Sequence, residues 1–186
     1  MKNDILFDQY RITGKWSTKV SLWLLFKNRS FRKIYYFRKL QETHGVEHML
    51  FHILNFFLQK KISLEISRTL TLGKGFKMIH PYCITFNGNS VIGDNFTILK
   101  GATIGESKTG KIGAPVIGDN VYVGLNSTVV GGIHIGNDVM IAANTFVNFD
   151  VPDGALVIGS PGVIHKKEKA SRPYITNSIV DIVKEE

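Results

Sequence analysis

One spacing governs the second half of this chain. Aliphatic residues stand at Ile117, Val123, Val129, Ile135, Ile141 and Val147, each six positions after the last. Gly118, Gly124 and Gly136 directly follow three of them, and small or β-branched residues recur four places on, at Val121, Ser127, Ile133, Val139 and Thr145. An earlier block keeps the beat at Leu72, Met78 and Ile84 and resumes, after a two-residue insertion, at Ile92, Ile98 and Ile104; a longer insertion separates Ile104 from Ile117. A helix repeats its apolar residues three and four apart and a half-buried strand two apart, so neither accounts for six. A solenoid does: with one short strand and one turn per unit, three units close a triangular coil of about 18 residues whose aliphatic side chains point to the axis. Successive coils then stack about 4.8 Å apart through parallel-strand hydrogen bonds. Asp94-Asn95, Asp119-Asn120 and Asn137-Asp138 fall at equivalent corners, where positive φ is commonly needed and glycine or asparagine supplies it.

The beat runs from about Ile66 to Val151. Pro152 cannot donate to a ladder and is expected to stop strand pairing, and Val157 to Ile164 read as a closing turn. Residues 31–40 and 45–61 carry helical patterns, the second with Met49, Leu50, Ile53, Leu54, Phe57 and Leu58 on one face, and these helices are expected at the base of the coils. The chain thus divides into a helical region (1–61), the coils (62–165) and a polar tail (166–186) with one short amphipathic stretch, Ile175 to Val183.

The formal net charge of +8 belongs to one end: residues 1–61 hold 12 Lys and Arg against 4 Asp and Glu, whereas residues 62–186 hold 11 against 11. Within 16–39, Trp16, Trp23, Leu24, Leu25 and Phe26 alternate with Lys19, Lys27, Arg29, Arg32 and Lys33. Such a patch suits peripheral contact with an anionic membrane, where each nearby cation contributes about 1 kcal/mol. No recognised nucleic-acid module accompanies the charge, so nucleic acid is not an expected partner. The single cysteine, Cys83, can form neither an internal disulfide nor a thiolate zinc cage. With no secretory pattern in the first ten residues and no apolar run long enough to span a bilayer, the expected location is cytoplasmic, peripheral at the inner membrane face at most.

A solenoid is a scaffold, so function rests on particular side chains. His44, His48 and His52 share a helical spacing but lack the carboxylate of an HExxH motif, and no metal is expected there. His134 and His165 read as exposed polar residues. His80, in Met78-Ile79-His80-Pro81-Tyr82, stands just before the two-residue irregularity, and irregularity in a regular scaffold often marks a site.

The segments Leu64-Glu65-Ile66, Gly73-Lys74-Gly75, Met78-Ile79-His80, Thr97-Ile98-Leu99 and Thr103-Ile104-Gly105 make residues 62–165 similar to the serine acetyltransferase branch of the hexapeptide-repeat acyltransferases. The resemblance implies a mainly β fold: a left-handed parallel β-helix with a short N-terminal helical region and a C-terminal cap and tail. It implies His80 as general base and Glu65, fifteen residues earlier, as the carboxylate that orients its ring, where the branch usually has aspartate. A hydroxyl attacks a thioester slowly because its pKa lies far above neutral, and an imidazole that takes the proton contributes about 10²- to 10⁴-fold. No G-x-S-x-G elbow is present, so direct transfer is the simpler mechanism.

The implied donor is acetyl-CoA, held between subunits of a homotrimer. Gly105, Leu125 and Ala143 match the branch's contacts, with leucine where alanine is usual, and Lys166 and Lys167 are placed to meet the CoA phosphates. Lys100, Glu106 and Ser107 are the candidates for the acceptor. Serine enzymes carry a histidine before the proline of the insertion loop, beside an arginine that helps hold the amino-acid carboxylate; here the stretch is Gly113-Ala114-Pro115 with no arginine near. They also usually carry a helical domain longer than 61 residues. A carboxylate seeks a charge-assisted partner, so the departure points away from serine. Ala114 to Asn120, reading APVIGDN, resembles acetyltransferases of bacterial capsule, exopolysaccharide or O-antigen synthesis, which implies a sugar hydroxyl as acceptor. Serine acetylation and a non-catalytic binding role are the alternatives. A zinc carbonic anhydrase on this fold needs three metal histidines, and the coils offer His80 and His134.

Overall fold

Three parallel sheets, each taking one strand from successive coils, carry the six-residue beat in a computed structural model that describes residues 4–59 and 63–182. The first coil contributes β1 (Leu64–Ile66), β2 (Thr71–Leu72) and β3 (Lys77–Ile79). The second contributes β4 (Ile84–Phe86), β5 (Val91–Ile92) and β6 (Thr97–Leu99), and the third β7 (Thr103–Gly105), β8 (Val116–Ile117) and β9 (Tyr122–Val123). The fourth contributes β10 (Thr128–Val130), β11 (His134–Ile135) and β12 (Met140–Ile141). The last coil holds β13 (Phe146–Val147) and β14 (Leu156–Ile158), with Val151 bridging to Ile135 between them. Sheet one orders β1-β4-β7-β10-β13, sheet two β2-β5-β8-β11 and sheet three β3-β6-β9-β12-β14. An antiparallel strand, β15 (Val163–His165), closes sheet three at its far end. Every aliphatic residue of the beat from Leu72 to Val147 is buried, as are the companions Val121, Ser127, Ile133, Val139 and Thr145.

Two details differ from the sequence reading. Ile84 pairs with Ala102, whereas Phe86 pairs with Ile104, so Phe86 and not Ile84 carries the beat in the second coil. The two extra residues therefore sit in the corner formed by residues 80–83, and His80 lies inside the irregularity. Pro152, in turn, does not end the stacking. It occupies a corner where no ladder hydrogen bond is required, and β14 pairs with β12 beyond it.

The corner between sheets two and three shows why its residues recur. Asn95, Asn120 and Asp138 adopt positive φ. Beside them runs a ladder of side-chain acceptors: Asp94 accepts from Lys74 N–H, Asp119 from Asp94 N–H, Asn137 from Asp119 N–H and Asp153 from Asn137 N–H. Backbone groups that a turn would strand are satisfied by the next coil.

A solenoid end exposes core and edge carbonyls and needs a cap. Helices α1 (Asp4–Thr13), α2 (Leu22–Lys27), α3 (Arg29–Glu42) and α4 (Gly45–Gln59) form the base, of which the sequence patterns announced the last two. Ser21 and Asn28 cap α2 and α3 by accepting from Leu24 N–H and Phe31 N–H. Ile34 and Phe37 of α3 enter the coil core. The buried Arg38 pairs with Asp8 at 2.9 Å and donates to the carbonyls of Leu72 and Gly73; Asp8 also accepts from Phe76 N–H. Buried Arg11 donates to the Gly75 carbonyl and to Thr97 Oγ1.

Three of the N-terminal cations, Arg11, Lys33 and Arg38, are therefore spent inside the protein. Lys33 and Leu24 are buried, which removes both from the expected surface patch, since α3 turns Lys33 toward Asn55 of α4 and Leu24 packs with Ile5 and Phe31. Trp23 and Phe26 do remain exposed, at 70% and 78%. Helix α4 lies on α3 through Phe51, against Tyr35 and Tyr36, and through Asn55, which accepts from Lys33, while His48 meets Arg68 of the first coil. These contacts set its rotation, and the apolar face with Met49, Leu50, Ile53, Leu54 and Phe57 points outward instead of onto the coils. The Leu58 side chain and Lys60 to Ile62 lie outside the described residues. No helix among the described residues is long and apolar enough to cross a membrane.

After β15 the chain returns along the corner between sheets two and three. Ala170 N–H bonds to the Gly154 carbonyl, Ser171 N–H to that of Asp138, Tyr174 packs on Tyr122, and Ile179 N–H reaches Asn95 Oδ1. The run ends in a short helix, α5 (Ile179–Ile182), whose Ile179 and Ile182 pack with Tyr10 of α1. Val183, the last residue of the expected amphipathic stretch, lies outside the described residues.

Candidate functional site

The corner between sheets three and one is where most candidate residues meet. Ile79 pairs with Leu99, Ile98 with Val123 and Val123 with Ile141. Just beyond sheet three, the same register aligns Lys100, Leu125 and Ala143 in one column, neighbours about 4.8 Å apart, and Tyr82, whose carbonyl accepts from Gly101 N–H, takes the equivalent place in the lowest coil, beside the inserted His80 and Pro81. In the upper coils this corner takes two residues, Lys100-Gly101, Leu125-Asn126 and Ala143-Asn144. In the lowest it takes four, His80 to Cys83. His80 and Cys83 adopt positive φ, at 54° and 53°, a conformation that non-glycine residues seldom take and that recurs at functional positions. Both side chains are exposed.

Backbone and side chains tie this corner down. Tyr82 N–H donates to the His80 carbonyl, and Gly101 N–H to that of Tyr82. From the base, Ser30 Oγ donates to the Met78 carbonyl at 2.7 Å and Arg29 donates to the Tyr82 hydroxyl. Arg29, Ser30 and Tyr82 were missed in the sequence; nothing in the spacing links residue 29 to residue 82.

Glu65 occupies the outward position of β1, paired in register with Thr85 of β4 and exposed. No hydrogen bond or ion pair among the described residues joins it to His80. Gly105, Glu106 and Ser107 lie at the opposite edge of sheet one, a strand of three residues or about 10 Å across. There the insertion loop is closed by paired bonds between Ser107 and Gly113 and by ion pairs of Lys111 with Asp150 and Lys108 with Glu106. The Lys108 ammonium holds the Glu106 carboxyl below the usual carboxylate range. Between loop and sheet runs a groove of about 500 Å³, lined by Ser107, Thr109, Lys111, Phe146 and Asn148. A Cβ at Gly105 would stand 3.0 Å from Val130, so glycine keeps that edge low. Lys166 and Lys167 follow β15, exposed, at the end of the solenoid remote from His80. Within one chain, then, the candidates form two groups on either side of sheet one.

Residues 116–148 match the family described as the hexapeptide repeat of succinyl-transferase. A putative colanic acid biosynthesis acetyltransferase of Escherichia coli, WcaB, is 41% identical over 95 residues, 51% of this chain and 59% of that protein. A serine acetyltransferase of Staphylococcus aureus is 34% identical over 138 residues, covering 68% and 63%. The chain thus spans about three fifths of the length of these curated relatives. Among solved structures, the serine acetyltransferase of Neisseria gonorrhoeae superposes with a TM-score of 0.74 at 26% identity, over 90% of this chain and 67% of that one. Repeat, solenoid and likenesses agree: residues 116–148 carry the hexapeptide repeat, and the chain is similar in sequence and fold to acetyltransferases built on it.

Proposed function

We propose that the protein transfers an acetyl group from acetyl-CoA to a sugar hydroxyl of a bacterial polysaccharide, or of a precursor of one, with His80 as general base. The observation that carries the reading is the lengthened corner, which presents an exposed imidazole at positive φ at the foot of the column Lys100, Leu125 and Ala143. The acceptor hydroxyl gives its proton to His80 as its oxygen attacks the thioester carbonyl. The carbon–sulfur bond then breaks, and the proton passes on to the departing CoA thiolate. Glu65 is the proposed orienting carboxylate, reached by a rotation of exposed side chains. Gly105, Leu125 and Ala143 are the proposed support for the pantetheine arm, Lys166 and Lys167 for the phosphates, and Lys100, Glu106 and Ser107 for the acceptor.

Because the candidates stand on both sides of sheet one, a complete site is proposed to form between subunits of a homotrimer. Named relatives support both a glycan and serine as acceptor. Ala114, where serine enzymes carry histidine, favours the glycan. The proposed setting is the cytoplasm, at or near the inner face of the membrane that carries lipid-linked glycans. The test is acetyl-CoA consumption with serine, simple sugars and purified polysaccharide as acceptors, with His80→Ala as the control. The variant is expected to lose about 10²- to 10⁴-fold in kcat. Wild-type turnover no faster than the variant's on every acceptor would sink the enzymatic reading.

A further inference from the structure

Corners between sheets three and one are pinned by the coil beneath. Asn144 N–H bonds to the Leu125 carbonyl, Asn126 N–H to that of Lys100 and Gly101 N–H to that of Tyr82. Gly101, Asn126 and Asn144 all adopt positive φ, and so does Cys83, which therefore closes the lowest corner in the ordinary way. The positive φ of His80 has no counterpart at Lys100, Leu125 or Ala143. His80 also precedes Pro81, and a proline ring pushes the residue before it toward extended backbone. A conformation disfavoured on both counts persists only where its surroundings over-determine it.

The lowest corner has no coil beneath it, and the first turn of α3 takes that place. Ser30 Oγ donates to the Met78 carbonyl, two residues before His80, and Arg29 donates to the Tyr82 hydroxyl, two residues after it. Between these anchors Pro81 is buried, and Tyr82 N–H closes a bond of 2.7 Å to the His80 carbonyl. Tyr82 thus takes part in three of the bonds that fix the corner, two through its backbone and one through its hydroxyl. We infer that Tyr82 and Arg29 are positioning residues for the proposed base: the bond between them holds the His80 turn in its left-handed conformation, so that the helical base sets how the imidazole meets the acceptor. The inference rests on the proposed role of His80 and adds the device that aims it.

The test pairs amide hydrogen exchange with kinetics on the full chain. Tyr82→Phe deletes the accepting hydroxyl, and Arg29→Met deletes its donor. In either variant the amides of Tyr82 and Gly101 should exchange about 10-fold faster than in the wild type, the worth of one hydrogen bond, while those of Asn126 and Asn144 stay unchanged. The midpoint of thermal unfolding should move by only a few degrees. With the acceptor that the wild type turns over fastest, kcat should fall about 10- to 100-fold at nearly constant KM for acetyl-CoA, as expected for a reacting group displaced by about 1 Å. The double variant should lose no more than either single one, because both delete the same bond. Arg29→Lys should recover part of the rate. Unchanged exchange at Tyr82 and Gly101 overturns the inference whatever the protein turns over. Faster exchange with unchanged kcat also overturns it, and leaves His80 as the base. A wild type no faster than His80→Ala on every acceptor removes the base itself, and the inference with it.

Discussion

In the coils a backbone group finds its partner by repetition: each strand and each Asp or Asn of the corner ladder meets its equivalent one coil on. At the base that repetition stops, and the carbonyls of Leu72, Gly73 and Gly75 are taken up by the guanidinium groups of Arg38 and Arg11. The coils therefore spread their stability over many similar contacts, while the base concentrates it in a few buried charged side chains. Regular structure tolerates variation at any one rung; a cap made of single residues does not.

The contrast can be broken most forcefully at Arg38. Arg38→Met strands the Asp8 carboxylate and two carbonyls together, and should cost about 3–5 kcal/mol in urea unfolding. Arg38→Lys should recover little, because one ammonium cannot serve Asp8 and both carbonyls at once. Loss below about 1 kcal/mol would mean that the cap is dispensable. Next in size is Ile98→Ala in the second coil, expected to cost about 3 kcal/mol by opening a cavity on the axis. Limited proteolysis should separate the two: the Arg38 variant is cut first within the helical base, the Ile98 variant within the coils. The smallest effect has the opposite sign. Burial pushes the Lys33 ammonium down to about 8, so the folded state disfavours its charge. Lys33→Met should be neutral or stabilising by about 1 kcal/mol. The wild type should gain stability as pH rises from about 8 toward 10.5, where the unfolded chain still holds the proton that the folded one has released. The variant should lack that gain, and an equal gain in both would exclude Lys33 as its source.

Legibility followed the same division. A period of six can be counted from a string, so Ile117 to Val147 announced the coils, and the Asp-Asn pairs announced their corners. Ile84 was assigned the beat carried by Phe86 because both are apolar and only pairing decides which faces the axis. The base was harder to read. Arg11, Lys33 and Arg38 look like any solvated cations until the edge they cover is known, and α1 offered no pattern of its own. His80 was legible as an irregularity next to a proline. The contact of Arg29 with Tyr82 was not, because it exists only once α3 has docked on β3. Glu65 and His80 stand fifteen residues apart as the resemblance asks, yet spacing alone does not bring two exposed side chains into contact.

The returning tail alters what kind of object this is. An open stack of coils has two independent ends, each able to fray. Here Arg11 of α1 donates to the Thr176 carbonyl across 165 residues, and Asn95 receives Ile179. The segment around Thr176 to Ile179 is thus bound to α1 and the first coils, and a stack that is linear in sequence becomes a closed ring of contacts. Such closure is of high contact order and comes late in folding. The helical base, with the corner it steadies around His80, cannot be finished until the coils and the returning segment up to Ile179 are in place.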